Sequence, residues 1–503
     1  MENKTDIIVK EIDDVFCEVI TDNEAILREI SDEFSFKVDG YEVMKRANPN
    51  LKYWDGMIRL FNVKKRTLYK GLVITLVKWA EGVKYTIDNQ TNFVKKDIDL
   101  KEVKQFFSDL KLKEADRLPR DYQLKAFLNA IAYGRCSFLS PVNSGKSLII
   151  YLLIRWFNVP SLIIVPTVNL VNQMLRDFAD YSKFDDSWNA YDNCQIIMGG
   201  LEKEFQRQVI ISTWQSLKDL PEEWYINIKQ VIVDEVHGAK AKSIQKIMEK
   251  LKRCPHRFGL TGTFDDVEVN KLTIVGHFGN VYNTVSTKEL QDRGISAQLD
   301  IEFKILDYEN LSYTTVPKDY QREIEYIKSH PYRNEYIRDL TLSLDGNILV
   351  LFQHVDSHGV GLYNLIKMAT NRKVFIIHGG IKVDEREKIL AFFKSGKAKD
   401  AILIASYGTT STGINVAAFN NMIFASPYKS KVKVWQSIGR LLRTSEDKTH
   451  GKLYDIVDCI RNGKSYKTKN YCMQHFLSRL KIYNSEGQKY TMTKVSKKDW
   501  WNE

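Results

Sequence analysis

One stretch near residue 140 restricts the fold of this chain more than any other feature. An apolar step at Phe138-Leu139 runs into a loop of small residues, then into Gly145-Lys146-Ser147, and then into a second apolar run. This order is typical of a strand, a tight loop and a helix, and the N–H groups of such a loop and helix N-terminus bind anionic oxygens. The sequence therefore predicts a nucleotide-binding loop at 140–147, whose binding residues are Asn143, Ser144, Gly145, Lys146 and Ser147.

The loop departs from the usual pattern GxxxxGK[ST] at one position. Ser140 stands where that pattern has its first glycine. Lys146 would reach the β- and γ-phosphates of the nucleotide, and the Ser147 hydroxyl would bind Mg²⁺. Because one of the two glycines is replaced, the loop alone leaves a chance match open, so further signals must decide.

Length and composition favour a multidomain globular protein. The 503 residues correspond to two to four domains, and 44% are hydrophobic. No apolar run approaches the roughly 20 residues that span a bilayer, and the polar N-terminus is no secretory signal. The six cysteines lie far apart without a CxxC pair, which indicates reduced thiols and a cytoplasmic protein.

The formal charge of +11 is unevenly distributed. Residues 41–80 contain nine Lys/Arg against two Asp/Glu, and 461–503 contain ten against three, a net of +7 each, whereas 1–40 has a net of −8. Charge runs are usually solvated surface. Two basic blocks beside a nucleotide site nevertheless favour a polyanionic partner.

Residues 1–95 are predicted to form a small α+β accessory domain that contacts DNA. Strands are expected at 33–38, 57–61 and 68–77, and Asp55-Gly56 predicts a hairpin turn. The cluster Lys64, Lys65 and Arg66 would lie in a loop between strands. It is either an ordinary solvated loop or a contact to the DNA backbone.

From about residue 119 the pattern changes to short β-branched runs that alternate with longer amphipathic segments. We expect buried strands at 161–166, 209–213, 231–234 and 259–261, and again at 348–352, 373–378, 401–405, 422–425 and 453–457. The fold class is therefore α/β, with two tandem RecA-like parallel-sheet domains. The expected boundaries are 96–118 for a linker, 119–300 and 301–460 for the two domains, and 461–503 for a basic helical tail.

A second chemical signal follows one of these strands. Val231–Val233 ends in Asp234-Glu235, which places two carboxylates at a strand tip. Asp234 would hold Mg²⁺ and Glu235 would polarise the water that attacks the γ-phosphate. Considered by itself, this pair could be two solvated acids that end a strand. Because it follows Gly145-Lys146-Ser147 in the chain, the catalytic interpretation is favoured.

Three further motifs fit a nucleotide motor. Arg120 and Gln123 lie upstream of the loop, where an amide can bind the adenine edge and an arginine can pack on the ring. Thr261-Gly-Thr263 follows a strand and would couple the two domains. In the second domain, Gln436 precedes Arg440 and Arg443, which share a helix face and would serve as arginine fingers.

Together these motifs resemble superfamily-two helicases of the DExH type, over roughly residues 115–460. The motifs that carry the resemblance are Arg120–Gln123, Ser140–Ser147, Ile164–Thr167, Asp234–His237, Thr261–Thr263, Ala405–Asn415 and Gln436–Arg443. Leu260–Thr263, Glu289–Gly294 and His378–Gly380 are similar to the branch of XPB-type and restriction-enzyme motors. Length, Trp54-Asp55-Gly56 and the basic tail resemble the phage recombination helicases, which unwind forks, Holliday junctions and R-loops.

The resemblance implies roles for individual residues. It implies ATP with Mg²⁺, Lys146 on phosphate, Ser147 and Asp234 on the metal, Glu235 as base and Gln436 near the γ-phosphate. It also implies backbone contacts to nucleic acid, made by Pro166, Thr167, Thr213, Ser411, Thr412 and Gly413. Asn415 replaces the aspartate that many members have, which weakens the expected contact to ribose.

The tail contains one helical pattern, at 471–483. We expect this helix to dock on the second domain through Phe476, Leu480 and Tyr483, with a basic face left for DNA. Trp500-Trp501 is either a stacking element or a contact for a partner.

We therefore predict an ATP-dependent DNA helicase or translocase that acts on branched DNA in recombination, repair and replication. It would be a monomer in the cytoplasm of an infected bacterial host, if the phage resemblance holds. Three alternatives remain: an RNA helicase, a motor subunit that moves on duplex, and an ATP-gated annealing or binding module. Strand displacement on forks, junctions and RNA–DNA hybrids distinguishes them.

Overall fold

A computed structural model of the chain describes residues 5–38, 41–199, 204–236, 242–262, 268–308, 319–409, 418–427, 431–442, 448–460, 470–496 and 498. The chain divides into two compact units. One comprises Met1–Pro141 and Gly145–Val285, and the other comprises Val142–Ser144 and Ser286–Glu503. None of the helices described in these ranges is long and apolar enough to cross a membrane.

The N-terminal segment forms a five-stranded mixed sheet in the order β5-β6-β2-β1-β7, and a separate two-stranded sheet of β3 and β4. Its strands are β1 (Ile7–Glu11), β2 (Phe16–Ile20), β3 (Ser35–Lys37), β4 (Met57–Arg59), β5 (Phe61–Asn62), β6 (Thr67–Tyr69) and β7 (Ile87–Asn89). Its helices are α1 (Glu24–Glu33), α2 (Tyr41–Ala47) and α3 (Val73–Gly82). The predicted small α+β domain is confirmed.

Three local predictions in this segment were wrong. The expected strand at 68–77 ends at Tyr69 and becomes helix α3, because Val73, Leu76 and Ala80 face the core at helical spacing. The expected strand at 57–61 is interrupted at Leu60. Asp55-Gly56 is not the tight turn of a short hairpin: it ends the long connection between the antiparallel strands β3 and β4, which also contains α2 and the 3₁₀ helix Pro49–Leu51.

The N-terminal domain is fixed to the following α/β domain by buried polar contacts. Within the N-terminal domain, the Lys70 ammonium is 1% exposed and lies 2.9 Å from Glu11 and 3.0 Å from Asp14. Arg135, at the start of the next sheet, donates to the Asp14 carbonyl at 2.8 Å. A Cβ on Gly71 would lie 2.0 Å from the Val275 carbonyl, so the two backbones approach as closely as only glycine allows.

The first α/β domain has a seven-stranded parallel sheet in the order β10-β11-β9-β12-β13-β8-β14. Its strands are β8 (Arg135–Leu139), β9 (Ser161–Val165), β10 (Cys194–Ile197), β11 (Val209–Thr213), β12 (Gln230–Asp234), β13 (His256–Thr261) and β14 (Val281–Asn283). Helix α4 (Leu100–Asp109) precedes the first strand of this sheet. The other helices are α5 (Asp121–Tyr133), α6 (Lys146–Phe157), α7 (Val168–Tyr181), α8 (Ala190–Asn193), α9 (Trp214–Leu217), α10 (Lys242–Lys250) and α11 (Glu268–Phe278). Helix α4 packs Phe106 and Phe107 against Phe127 of α5, so the segment before residue 119 is part of this core.

The second α/β domain also has a seven-stranded parallel sheet, in the order β17-β18-β16-β19-β20-β15-β21. Its strands are β15 (Gln298–Asp307), β16 (Ile348–Phe352), β17 (Lys373–Ile377), β18 (Ala401–Ser406), β19 (Asn421–Phe424), β20 (His450–Cys459) and β21 (Tyr490–Val495). The helices are α12 (Thr287–Asp292), α13 (Tyr320–Ser329), α14 (Pro331–Leu342), α15 (Val360–Met368), α16 (Val383–Lys394), α17 (Lys431–Leu441) and α18 (Tyr471–Ser485). The two parallel sheets confirm the predicted tandem RecA-like fold.

The C-terminal segment differs in part from the predicted helical tail. Helix α18 docks as expected, with Phe476 and Tyr483 buried and Leu480 packed against the same core. The Arg479 guanidinium is not on an exposed basic face: it forms a buried ion pair with Asp455 at 2.7 Å. Strand β21, which the sequence did not predict, pairs with β15 and completes the sheet.

Candidate functional site

The loop after β8 has the backbone that the sequence predicts. Gly145, directly before α6, has a φ of 77°, and a Cβ there would lie 2.3 Å from the Gln123 amide nitrogen. The Asn143 backbone also has a left-handed conformation, with a φ of 68°. Ser144 is fully buried. The loop thus turns tightly into the N-terminus of a twelve-residue helix, where backbone N–H groups favour anions.

Ser140 occupies its position without a conflict. Its N–H donates to the Thr261 carbonyl at 2.8 Å, and its hydroxyl oxygen lies 3.1 Å from the Thr284 hydroxyl. Both contacts join the loop to neighbouring strands. The missing glycine of the pattern is therefore replaced by a residue that the surrounding structure accommodates.

Lys146 and Glu235 are brought together at the carboxyl edge of the sheet. The Lys146 ammonium lies 3.6 Å from Glu235 Oε1 and 3.4 Å from the Ser140 carbonyl, and the other Glu235 oxygen accepts from the Thr261 hydroxyl at 3.5 Å. Asp234 ends β12 and accepts from the Glu235 N–H at 3.0 Å. Charged and hydroxyl groups from three adjacent strands thus converge at one edge, as expected for a doubly wound sheet.

Glu235 has an unusual backbone. Its φ of 55° is left-handed, which costs a residue with a Cβ roughly 1–2 kcal/mol. The bond from its own N–H to Asp234 offsets part of that cost. Such strain is characteristic of functional positions, because it aims a side chain that a relaxed backbone would direct elsewhere.

Ser147 has partners that the sequence did not identify. Its hydroxyl lies 2.8 Å from the Tyr181 hydroxyl, and it is close enough to the Asp177 carboxyl to favour the ionised form of that group. Burial raises the pKa of Asp177 and raises that of Tyr181 to about 12. Asp177 and Tyr181 are four residues apart on one face of α7, but nothing in the sequence assigns that face to this loop.

Gln123 and Arg120 lie beside the same loop. The buried Gln123 amide accepts from the Arg120 N–H at 2.8 Å and donates to the Gly145 carbonyl at 3.3 Å. The Arg120 guanidinium donates to the Tyr122 hydroxyl at 3.3 Å. The amide therefore links the start of α5 to the glycine of the loop.

Pro166, Thr167 and Thr213 lie at the ends of the neighbouring strands β9 and β11, where Thr213 pairs with Val165. The Thr167 hydroxyl caps α7 by accepting from Leu170 N. Thr213 is buried and its hydroxyl lies 3.2 Å from that of Ser216. The structure thus brings these three residues to one part of the carboxyl edge.

Lys64, Lys65 and Arg66 form the tip of an antiparallel hairpin between β5 and β6, as the sequence predicts. Both lysines are exposed. Arg66 is half-buried with a φ of 54°, and its guanidinium donates to the Thr21 carbonyl at 3.5 Å. The two lysines are thus the more accessible cations of this cluster.

Several predicted residues are not described in full. Gln436 and Arg440 lie in helix α17, but their side chains are outside the described residues. Residues that lie entirely outside are His237, Thr263, Ser411, Thr412, Gly413, Asn415, Arg443, Trp500 and Trp501. The six cysteines lie within the described residues; none is in a disulfide, and five of them are buried.

Three family models match the chain. Residues 6–89 match "DNA helicase UvsW, N-terminal", residues 117–266 match "Type III restriction enzyme, res subunit", and residues 332–445 match "Helicase conserved C-terminal domain". The matches cover most of the N-terminal segment, strands β8–β13 of the first parallel sheet and strands β16–β19 of the second.

Individual proteins are also similar. The ATP-dependent DNA helicase UvsW of Enterobacteria phage T4 is 34% identical over 94% of this chain and 96% of its own length. The crystal structure of T4 UvsW aligns over 98% of this chain and 100% of that chain, at 31% identity and a TM-score of 0.48. A putative HsdR fragment of a type I restriction enzyme from Vibrio vulnificus covers 78% of this chain and 73% of its own, at 18% identity and a TM-score of 0.55, a likeness of fold. The identity to the T4 protein over nearly all of both chains shows that this chain belongs to the UvsW family of ATP-dependent DNA helicases.

Proposed function

We propose that this ATP-hydrolysing helicase binds ATP at the loop 140–147 and moves on DNA, unwinding forks, Holliday junctions and R-loops in recombination, repair and replication. The observation that carries the proposal is the approach of the Lys146 ammonium and the Glu235 carboxylate, 3.6 Å apart, beside the helix N-terminus. The motor would comprise residues 119–300 and 301–460. Residues 1–95 would form an accessory DNA-binding domain, 96–118 a connection and 461–503 a tail.

The donor set suits Mg²⁺. Ser147 supplies a hydroxyl and Asp234 a carboxylate, and Mg²⁺ is usually held by one or two such oxygens together with substrate phosphates. When bound, it would neutralise charge on the β- and γ-phosphates. We propose Ser147 and Asp234 as the protein ligands because they supply these oxygens beside the loop and at the tip of β12.

The remaining roles belong to the side chains of the chain itself. Lys146 would bind the transferring phosphate, and Glu235 would accept a proton from the attacking water. Gln436, Arg440 and Arg443 would balance the charge that develops on the γ-phosphate. Arg120 and Gln123 would hold adenine, and Asn143, Ser144 and Gly145 would bind phosphate through the loop.

DNA would be held mainly through its backbone. The two domains would bind the backbone of one strand in alternation as ATP is hydrolysed. The contacts would be made by Pro166, Thr167 and Thr213 of the first domain and by Ser411, Thr412 and Gly413 of the second. Lys64, Lys65 and Arg66 would add contacts from the N-terminal domain. Such binding is independent of sequence and weakens with salt.

Two variants test the ATP site. We expect Lys146→Ala and Glu235→Gln to lower DNA-stimulated ATP turnover by at least about 10²–10⁴-fold, the usual contribution of a catalytic acid–base group. Glu235→Gln keeps the side-chain shape and the strained backbone, so circular dichroism should be unchanged. A folded variant with normal turnover would disprove the assignment.

The substrate is tested separately with the wild-type chain. ATPase stimulation and strand displacement are compared on single-stranded DNA, duplex, a four-way junction, an RNA–DNA hybrid and RNA. We expect the strongest response to branched DNA. A response to RNA alone, or translocation on duplex without strand separation, would replace the proposal with the corresponding motor.

A further inference from the structure

Tyr53 has an exposed ring that the fold does not use. Tyr53 is 93% exposed to solvent, the highest exposed fraction among the large hydrophobic residues that the structure describes. Burying an aromatic side chain stabilises a protein by about 1.5–3 kcal/mol, and the exposed Tyr53 ring does not contribute this stabilisation. An exposed aromatic of this kind is suited to a ligand with a flat face.

The backbone that presents Tyr53 is held in place by its neighbour. The Trp54 ring packs edge-on against Tyr41 at 5.4 Å, and its indole N–H donates to the Met57 carbonyl at 3.0 Å. The Tyr41 hydroxyl in turn donates to the Trp54 carbonyl. Gly56 has a φ of 78°, and a Cβ there would lie 2.4 Å from the Tyr41 ring. Trp54 and Gly56 therefore fix the turn, and Tyr53 projects from it.

Cations surround this turn. The Lys52 ammonium lies 5.7 Å from the centre of the Tyr53 ring, and the Lys45 ammonium lies 5.3 Å from that of Tyr41. Asp55 is paired with Arg59 at 2.5 Å, and Glu42 lies 3.6 Å from Lys37. Among the described residues Lys45, Arg46 and Lys52 form no ion pair, so their charges remain for an anionic partner.

The turn that contains Tyr53 belongs to the N-terminal domain, which is held against the first α/β domain by direct contacts. The N-terminal domain is joined to the first α/β domain through Arg135, which donates to the Asp14 carbonyl at 2.8 Å, and through the Tyr69 hydroxyl, which donates to Glu249 at 2.6 Å. An aromatic ring on this domain therefore keeps its position relative to the nucleotide loop, which lies in the same compact unit apart from Val142–Ser144.

We propose that Tyr53 is a stacking platform for an unpaired or terminal base at the branch point of DNA, with Lys45, Arg46 and Lys52 holding the adjacent phosphates. This inference rests on the proposed DNA substrate. Exposed aromatics among basic residues are the usual means of binding unpaired nucleotides, because every base has a face that stacks and every nucleotide has a phosphate. The abundance of cations around the ring favours nucleic acid over an apolar protein partner.

The test uses the full chain and a DNA fork with 2-aminopurine as the base at the branch. Tyr53→Ala should weaken fork binding about five- to a hundred-fold, the range for the loss of one base–aromatic stack. Tyr53→Trp should retain binding. The fluorescence of the bound 2-aminopurine should be higher with Tyr53→Ala than with wild type, because stacking quenches it. Blunt duplex of equal length should bind all of these variants equally.

The matched control is Tyr191→Ala, since Tyr191 is 55% exposed on α8, at the amino end of β10. It should bind fork and duplex as wild type does. Unchanged fork affinity and fluorescence in Tyr53→Ala would overturn the proposal, and so would an equal loss on duplex, which would make Tyr53 a backbone or protein contact. Binding is measured without ATP, so failure here is distinguishable from failure of the ATP-site variants.

Discussion

Ser140 illustrates how a side chain can replace a missing glycine. The usual reason for glycine is a tight loop, yet Ser140 fits because its N–H bonds the Thr261 carbonyl and its hydroxyl contacts Thr284. The side chain is buried within the wall of the loop. Ser140 thus connects the loop to the neighbouring strand and segment, and we expect that replacing it with the usual glycine does not increase ATP turnover.

We predict that Ser140→Gly leaves the kcat for ATP unchanged and lowers the free energy of unfolding by about 1 kcal/mol, the value of one buried hydrogen bond. ATP turnover and urea unfolding measure the two effects. Ser140→Ala is the control, since it removes the hydroxyl without adding backbone freedom. A folded Ser140→Gly without ATPase activity would contradict this interpretation and assign the hydroxyl to the nucleotide.

The sequence predicts some parts of this site and not others. Lys146 and Glu235 were predictable, because each follows an apolar strand and parallel strands end at the same edge. Asp177, Tyr181 and Thr284 were not, since their approach to Ser147 or Ser140 depends on how helix α7 and the segment after β14 pack. The left-handed backbone of Glu235 was also not predictable, because only its neighbours in space hold it there.

Helix α3 shows the same limit for a whole element. Its sequence is rich in β-branched residues and predicts a strand, yet the buried positions Val73, Leu76 and Ala80 follow helical spacing. Tertiary packing against β1 and β2 outweighs local propensity. By contrast, the buried strands of both parallel sheets were predictable, since their apolar runs face helices on both sides.

Helix α11 contains a titratable group at the junction of two domains. His277 is buried, its ring packs edge-on against Tyr69 at 4.8 Å, and its Nδ1 is among the described buried atoms without a hydrogen bond. Burial, followed by the charges of Arg257 and Arg135, lowers the pKa of His277 from 6.5 to about 3. The folded chain therefore keeps this imidazole neutral where the unfolded chain would protonate it.

We predict a pH-dependent contribution of His277 to stability. Between pH 6.5 and 3 the unfolded state binds the additional proton, so the free energy of unfolding should fall by about 1.4 kcal/mol per pH unit as the pH decreases. His277→Phe should remove this part of the slope. Urea unfolding from pH 6.0 to 4.5 measures it, and equal slopes for variant and wild type would refute the prediction.

Charge is organised at the scale of the whole molecule. The net charge of +11 is concentrated in 41–80 and 461–503, and in the first block the exposed Lys64 and Lys65 form a hairpin tip. Lysines of this kind neutralise phosphates and release counterions. The fold determines which lysines are accessible, which the sequence count alone could not, since Lys70 of the same block is buried.

We predict that Lys64→Ala with Lys65→Ala lowers the salt dependence of DNA binding. Two lost phosphate contacts should reduce the slope of log K against log salt by about 1.8, and should weaken binding similarly for all sequences. Lys101→Ala with Lys104→Ala removes the same charge from exposed positions on α4 and should leave the slope unchanged. Equal slopes for the two double variants would exclude the hairpin as a DNA contact.

Strand β21 has a consequence for how the chain is made. It pairs with β15 along Ile301–Leu306, although the two segments are separated by nearly the whole second domain. Translation proceeds from the N-terminus, so β15 leaves the ribosome with both edges unpaired. Strand β20 can pair with one edge once His450–Cys459 is synthesised, and the other edge stays unpaired until Tyr490–Val495 follows. During that interval its N–H and C=O groups offer a template for association with other chains. The second domain therefore depends on its last strand for protection against misassembly in the nascent state.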